Sequence, residues 1–214
     1  MVQSVRFTLA VPDEIQSQGR RVPVHVFSNR DLPHGLTETG RAQTERLAER
    51  LMGIPFAAMY ASPVLRAQQS AEILSTRLRL DYRTTGALAE FDMGVLEGRS
   101  DVAGWLQYEE LLDAWLIRRD WQARIEGGES FDDVRARFMP FIDSLREARL
   151  RGPVLLVGHG GMLICMLPEL LPNVSPEFAR ERSIGHAELV IAESRANQLV
   201  CLCWGVSVLA ARSV

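Results

Sequence analysis

A chain of 214 residues that is 47% hydrophobic and 24% charged is long enough to bury one sizeable core. A formal net charge of −3 argues against a nucleic-acid-binding surface. No run of about eighteen apolar residues is present, and the N-terminus lacks a basic segment leading into an apolar stretch, so neither a membrane span nor a secretory signal is expected.

In chain order, residues 5–11 alternate as a strand does and then meet Pro12. Residues 13–19 read as a loop, and 22–27 as a short edge strand, because Pro23 cannot donate to a ladder. Residues 28–35 are turn-rich. Thr37 opens a helix with Leu47, Ala48 and Leu51 on its apolar face, and Gly53 ends it. Residues 56–61 form a second strand. Ser62-Pro63 breaks that strand and caps a helix, which places Arg66 in the first turn. A short strand is expected within 82–88, then an acidic loop, 90–98, with two glycines. Residues 101–115 read as a helix. Gly127-Gly128-Glu129-Ser130 opens another over 131–150, where Pro140 predicts a kink.

Val154-Leu155-Leu156-Val157 is a strand buried on both faces, and Gly158-His159-Gly160-Gly161 turns it into a helix reaching about residue 171. Residues 189–192 and 199–209 are two closing strands. Strands alternating with helices predict an α/β fold with a mostly parallel sheet covered on both faces, as one domain over 1–214.

Three candidates fall at strand-to-helix junctions or the loops between them: Arg66, Glu90 and His159. In a parallel sheet these junctions share one edge, where ligands bind. An arginine fork suits phosphate, histidine adds a donor or a positive charge, and glutamate can act as general acid. Gly160 lets an anion approach the helix-start N–H groups. All 24 basic side chains of fixed charge are arginines, which removes Schiff-base chemistry on a lysine. Cys165, Cys201 and Cys203 have no metal-type spacing and read as free thiols of a reducing compartment, the cytoplasm. Trp105, Tyr108, Trp115 and Trp121 read as helix packing.

The stretches Leu36-Thr37-Glu38-Thr39-Gly40-Arg41, Tyr60-Ala61-Ser62-Pro63-Val64-Leu65-Arg66-Ala67, Leu88-Ala89-Glu90-Phe91, Gly127-Gly128-Glu129-Ser130 and Val157-Gly158-His159-Gly160-Gly161 follow one another in a familiar order. In them the chain resembles the histidine phosphatase superfamily, the phosphoglycerate-mutase-like proteins. The resemblance implies a three-layer α/β/α fold. It also implies metal-free and cofactor-free phosphoryl transfer from a phosphomonoester through a phosphohistidine. It assigns Arg66 and His159 to the phosphoryl oxygens and Glu90 to protonation of the leaving group. Trp105 and its neighbours fall where relatives build a substrate lid.

The front of the chain departs from the pattern. The family's first strand runs into Arg-His-Gly-Glu, which holds an arginine and the attacking histidine. Here Phe7-Thr8-Leu9-Ala10 runs into Val11-Pro12-Asp13-Glu14, so Val11 replaces the arginine and Pro12 the nucleophile. A shifted register, with 24–27 as the first strand, offers Arg30 but no histidine. His25, His34 and His186 are the remaining candidates for attacker. The implied state is an inactive or impaired phosphatase, a pseudoenzyme, that retains a pocket for phosphate or a phosphorylated small molecule. An active phosphomonoesterase with a non-standard nucleophile, and an interaction module such as a homodimer, remain alternatives.

Overall fold

The computed structural model describes residues 6–10 (backbone only), 26–30, 34–148, 150–195 and 198–209. Seven strands form one sheet in the order β3-β2-β4-β1-β5-β6-β7. They are β1 (Arg6–Ala10), β2 (Ala58–Ala61), β3 (Tyr82–Thr84), β4 (Val154–Val157), β5 (Leu189–Arg195), β6 (Gln198–Trp204) and β7 (Ser207–Val208). β3, β2, β4 and β1 are mutually parallel, and β5, β6 and β7 continue the sheet as an antiparallel meander. Five of the seven strands therefore point the same way, as an α/β fold requires.

The layers follow from β4, whose four residues are all buried. Leu155 and Val157 face a core made with α1 (Glu38–Leu51) and α2 (Leu65–Leu78). Val154 and Leu156 face the opposite core, which carries α3 (Val102–Leu116), α4 (Phe131–Glu147), α5 (Gly160–Leu170) and α6 (Pro176–Glu181). The period of two in β4 thus divides the helices between two faces.

Local chemistry fixes most helix ends. Thr37 caps α1 by accepting the Gly40 N–H, and Asp101 caps α3 by accepting that of Gly104. Ser130 and Asp133 form a reciprocal capping box on α4. Four expectations need correction. Ser62-Pro63 does not cap α2: the cap is Val64, and Ser62 accepts the Val64 N–H from one position before Pro63. Val26 and Phe27 lie in no strand, since Phe27 trades backbone bonds with Gly98 and Arg99 in a loop. The stretch 199–209 is two strands rather than one, turned by Gly205 at φ 58°. α6 was not expected.

Candidate active site

β2 and β4 are parallel neighbours with Ala61 opposite Val157. The residues that follow them, Ser62 on one strand and Gly158-His159 on the other, therefore leave the sheet together. His159 is the N-cap of α5 and only 1% exposed. Its Nε2 lies 2.7 Å from Ser62 Oγ. Ser62 is fully buried and accepts the Val64 N–H, and its hydroxyl also bonds Nε2, with either atom able to donate. Burial first, then the charges of Arg66 and Arg137, pushes the His159 imidazole well below its ordinary range. Its other ring nitrogen, Nδ1, is buried without a hydrogen-bond partner.

Arg66 sits in the first turn of α2 and is 3% exposed. One guanidinium nitrogen donates to the Ser28 carbonyl at 2.5 Å and another to Asn29 Oδ1 at 3.3 Å. Asn29 is held in turn, its Nδ2 donating to the Phe91 carbonyl and its backbone N–H to Glu97. The acidic loop after β3 thereby anchors the stretch that orients Arg66.

The Glu90 carboxylate receives the N–H groups of Gly161 at 3.0 Å, Met162 at 2.6 Å and Phe91 at 3.1 Å. It closes the first turn of α5, where a negative charge meets the positive end of the helix. A side chain at Gly161 would run into Phe91, Glu90 and Tyr108, so glycine permits this approach. Behind the loop, Arg137 donates to the carbonyls of Gly86, Ala87 and Glu90 and pairs with Glu129 at 2.9 Å. Glu129 also accepts the Asp92 N–H. Its place is thus a brace behind the site, not the cavity wall.

A cavity of about 340 Å³ opens at this sheet edge. Arg66, Glu90 and Gly160 line it together, as does His186. His159 lies behind the wall. His34 is not on the wall, and Arg30 is exposed and paired with Asp92 at 2.8 Å. His25 and residues 11–14 lie outside the described residues. Strand β1 holds the place between β4 and β5, and Val26 and Phe27 lie in no strand. The aromatic set divides: Trp115 is core, Trp121 rests on Phe131, but Trp105 and Tyr108 line the cavity. Sequence reasoning missed Ser62, Asn29 and Arg137. Ser62 alone had a usable signal, its position directly after a strand on the edge that carries His159. Among the described residues no three His, Cys, Asp or Glu side chains converge as a metal site, and no helix is long and apolar enough to cross a membrane.

The profile of the histidine phosphatase superfamily (branch 1) matches residues 24–207. The chain is 33% identical over 147 residues to "Probable phosphoglycerate mutase GpmB" of Proteus mirabilis, covering 69% of this chain and 67% of that protein. The protein of the same name from Yersinia pestis is 33% identical over 136 residues, covering 64% of this chain and 63% of that one. The matches thus span about two thirds of these relatives' length. Among solved structures, the alpha-ribazole phosphatase from Shigella flexneri superposes with TM-score 0.75 at 22% identity, over 98% of this chain and all of that one. A mycobacterial glucosyl-3-phosphoglycerate phosphatase in complex with inorganic phosphate superposes with TM-score 0.73 at 23% identity, over 96% and 98%. The ordered motifs, the sheet that brings them to one edge and the match over most of the length make this chain a member of the histidine phosphatase superfamily.

Proposed function

We propose that the cavity binds phosphate or a phosphorylated small molecule and that the protein is a pseudoenzyme without phosphohistidine chemistry. The observation that carries the reading is His159 Nδ1, a buried polar atom without a hydrogen-bond partner, within electrostatic reach of the buried Arg66 guanidinium. A guanidinium and an imidazole beside a helix start suit the oxygens of a phosphoryl group. A structural neighbour that holds inorganic phosphate supports the same ligand. In this reading Arg66 and Gly160 contact the anion from the cavity wall, and His159, just behind that wall, turns its unpartnered Nδ1 toward it when the anion binds. Glu90 stands at the family's acid position, with its carboxylate engaged by three N–H groups.

The loss of the attacker rests on register. Ala10 pairs with Val157, and Gly158-His159 follow Val157. In sequence Val11-Pro12 follow Ala10. Those are the family's positions for the first arginine and the nucleophile, and neither valine nor proline can attack phosphorus. The three cysteines, all free, support a reducing, cytoplasmic setting.

One observation favours a second reading, an active phosphomonoesterase with a non-standard nucleophile: the His186 side of the wall shares the cavity with Arg66. Titration calorimetry with inorganic phosphate, together with intact-mass analysis during incubation with p-nitrophenyl phosphate, separates the readings. The pseudoenzyme binds phosphate at millimolar concentration or below, forms no covalent adduct, and turns over no faster than its His159→Ala variant. A phosphoryl adduct on the chain, abolished in His186→Ala, establishes the second reading instead.

A further inference from the structure

We propose that the ligand is a phosphomonoester with a flat aromatic or otherwise apolar body, and that a second anionic group on it is disfavoured. The inference rests on the anion-binding reading above and specifies what the rest of that cavity accepts. Its polar end is Arg66, Asn29 and Gly160. Much of the remaining wall is aromatic or branched aliphatic: Phe27, Trp105, Tyr108, Ile164 and Ile184.

The rings form a connected surface. Phe27 and Trp105 lie 4.4 Å apart, Trp105 meets Tyr108 edge-on at 5.4 Å, and Tyr108 stacks on Phe91 at 6.0 Å. Trp105 and Tyr108 are half-buried, so a flat ligand has ring surface to cover. They sit on a fixed helix. Asp101 caps α3, and Arg180 of α6 ties down its Glu109 and Asp113 at 2.6 Å each. A prepositioned wall spares the ligand much of the ordering cost of binding.

Charge sets the second half of the proposal. Of the described residues on the wall, Arg66 is the one arginine, Glu90 the one carboxylate and His186 the one imidazole. A single phosphoryl group occupies the arginine. A further carboxylate, as in a phosphoglycerate, would enter a small cavity that already presents Glu90. The volume of about 340 Å³ is at the low end for small-molecule sites, enough for a phosphoryl group and a fused pair of rings.

The test uses three ligands that cannot be hydrolysed: methylphosphonate, 1-naphthylmethylphosphonate and phosphonoacetate, each titrated calorimetrically into the full chain. The naphthyl compound is expected to bind at least about tenfold tighter than methylphosphonate, and phosphonoacetate no tighter than methylphosphonate. Trp105→Ala should lower the naphthyl-to-methyl affinity ratio to about threefold or less, with Trp105→Leu as the substitute if alanine does not fold. Equal affinity for the naphthyl and methyl compounds, or tightest binding of phosphonoacetate, overturns the apolar-body inference while leaving the anion pocket standing. No binding of any of the three, or of inorganic phosphate, removes the pocket itself and this inference with it.

Discussion

The neutral imidazole of His159 makes folding stability depend on pH near neutrality. Its native pKa lies well below the value near 6.5 that an exposed histidine has, and burial is the main cause. Above about pH 6.5 both folded and unfolded chains hold the ring neutral, and it contributes nothing. As pH falls below that point the unfolded chain takes up the proton first, so stability declines until the native pKa is reached. The slope from this one residue is at most about 1.4 kcal/mol per pH unit. Urea denaturation at about pH 7.5 and about pH 5.5 checks it: the wild type should lose stability, and His159→Gln should be flatter over the same interval. Asp101 and Asp133 are held below the usual carboxylate range, by Arg99 and by Ser130 respectively. Their effect comes only below about pH 4, outside this window. His159 was visible in the sequence because three glycines and a buried strand frame it. Its partner Ser62 was read only as a strand breaker and helix cap, because the bond depends on Ala61 standing opposite Val157, a pairing across nearly a hundred residues that no local pattern encodes.

The loop that carries Glu90 has little regular structure, and Arg137 of α4 holds it through three carbonyls and the Glu129 pair. These are partly buried, charge-assisted bonds spread over one planar fork. Lysine keeps the charge but cannot reproduce the fork. Arg137→Lys should therefore cost about 1–3 kcal/mol of unfolding free energy. Arg135→Lys, on an exposed 3.3 Å pair with Glu169 in the same helix, should shift it by less than about 0.5 kcal/mol. Parallel urea titrations of the two variants decide the matter, and similar losses in both would show that Arg137 is not the brace described. Elements set by local signals were legible: Thr37, Asp101 and Ser130 cap the helices they were expected to open or precede. Elements set by tertiary pairing were not. β7 is two residues long and is defined by its pairing with β6, and Phe27 turns to the Gly98 loop rather than to the sheet. The folding of Arg137 onto the Glu90 loop is likewise long-range, and inside α4 its sequence is simply that of a polar helix face.

At the scale of the molecule, one sheet edge collects Arg66, Glu90 and His159, because parallel strands β2, β3 and β4 end there and the residues after them leave on the same side. In the proposed reading, what separates the chain from active relatives is the stretch after β1, where Val11-Pro12 follow Ala10 in sequence. If so, the proposed loss of catalysis is a local change, and a local change can be reversed. β1 runs beside β4 with Ala10 level with Val157. The double substitution Val11→Arg and Pro12→His restores an imidazole and a guanidinium at those positions. If the remaining clamp of Arg66 and His159 is competent, the attacker gains an oriented phosphoryl group and a stabilised transition state together, effects that act as a unit. Hydrolysis of p-nitrophenyl phosphate should then rise by at least about a hundredfold over the parent chain, because nucleophile and clamp act only jointly. A phosphohistidine at position 12 should be detectable by intact mass and peptide mapping after an acid-free quench. Substituting His159 by alanine in that background should cancel most of the gain. A double variant that binds phosphate as the parent does yet shows neither adduct nor turnover would place the defect elsewhere. The loss of the attacker would then not be what separates this chain from its active relatives.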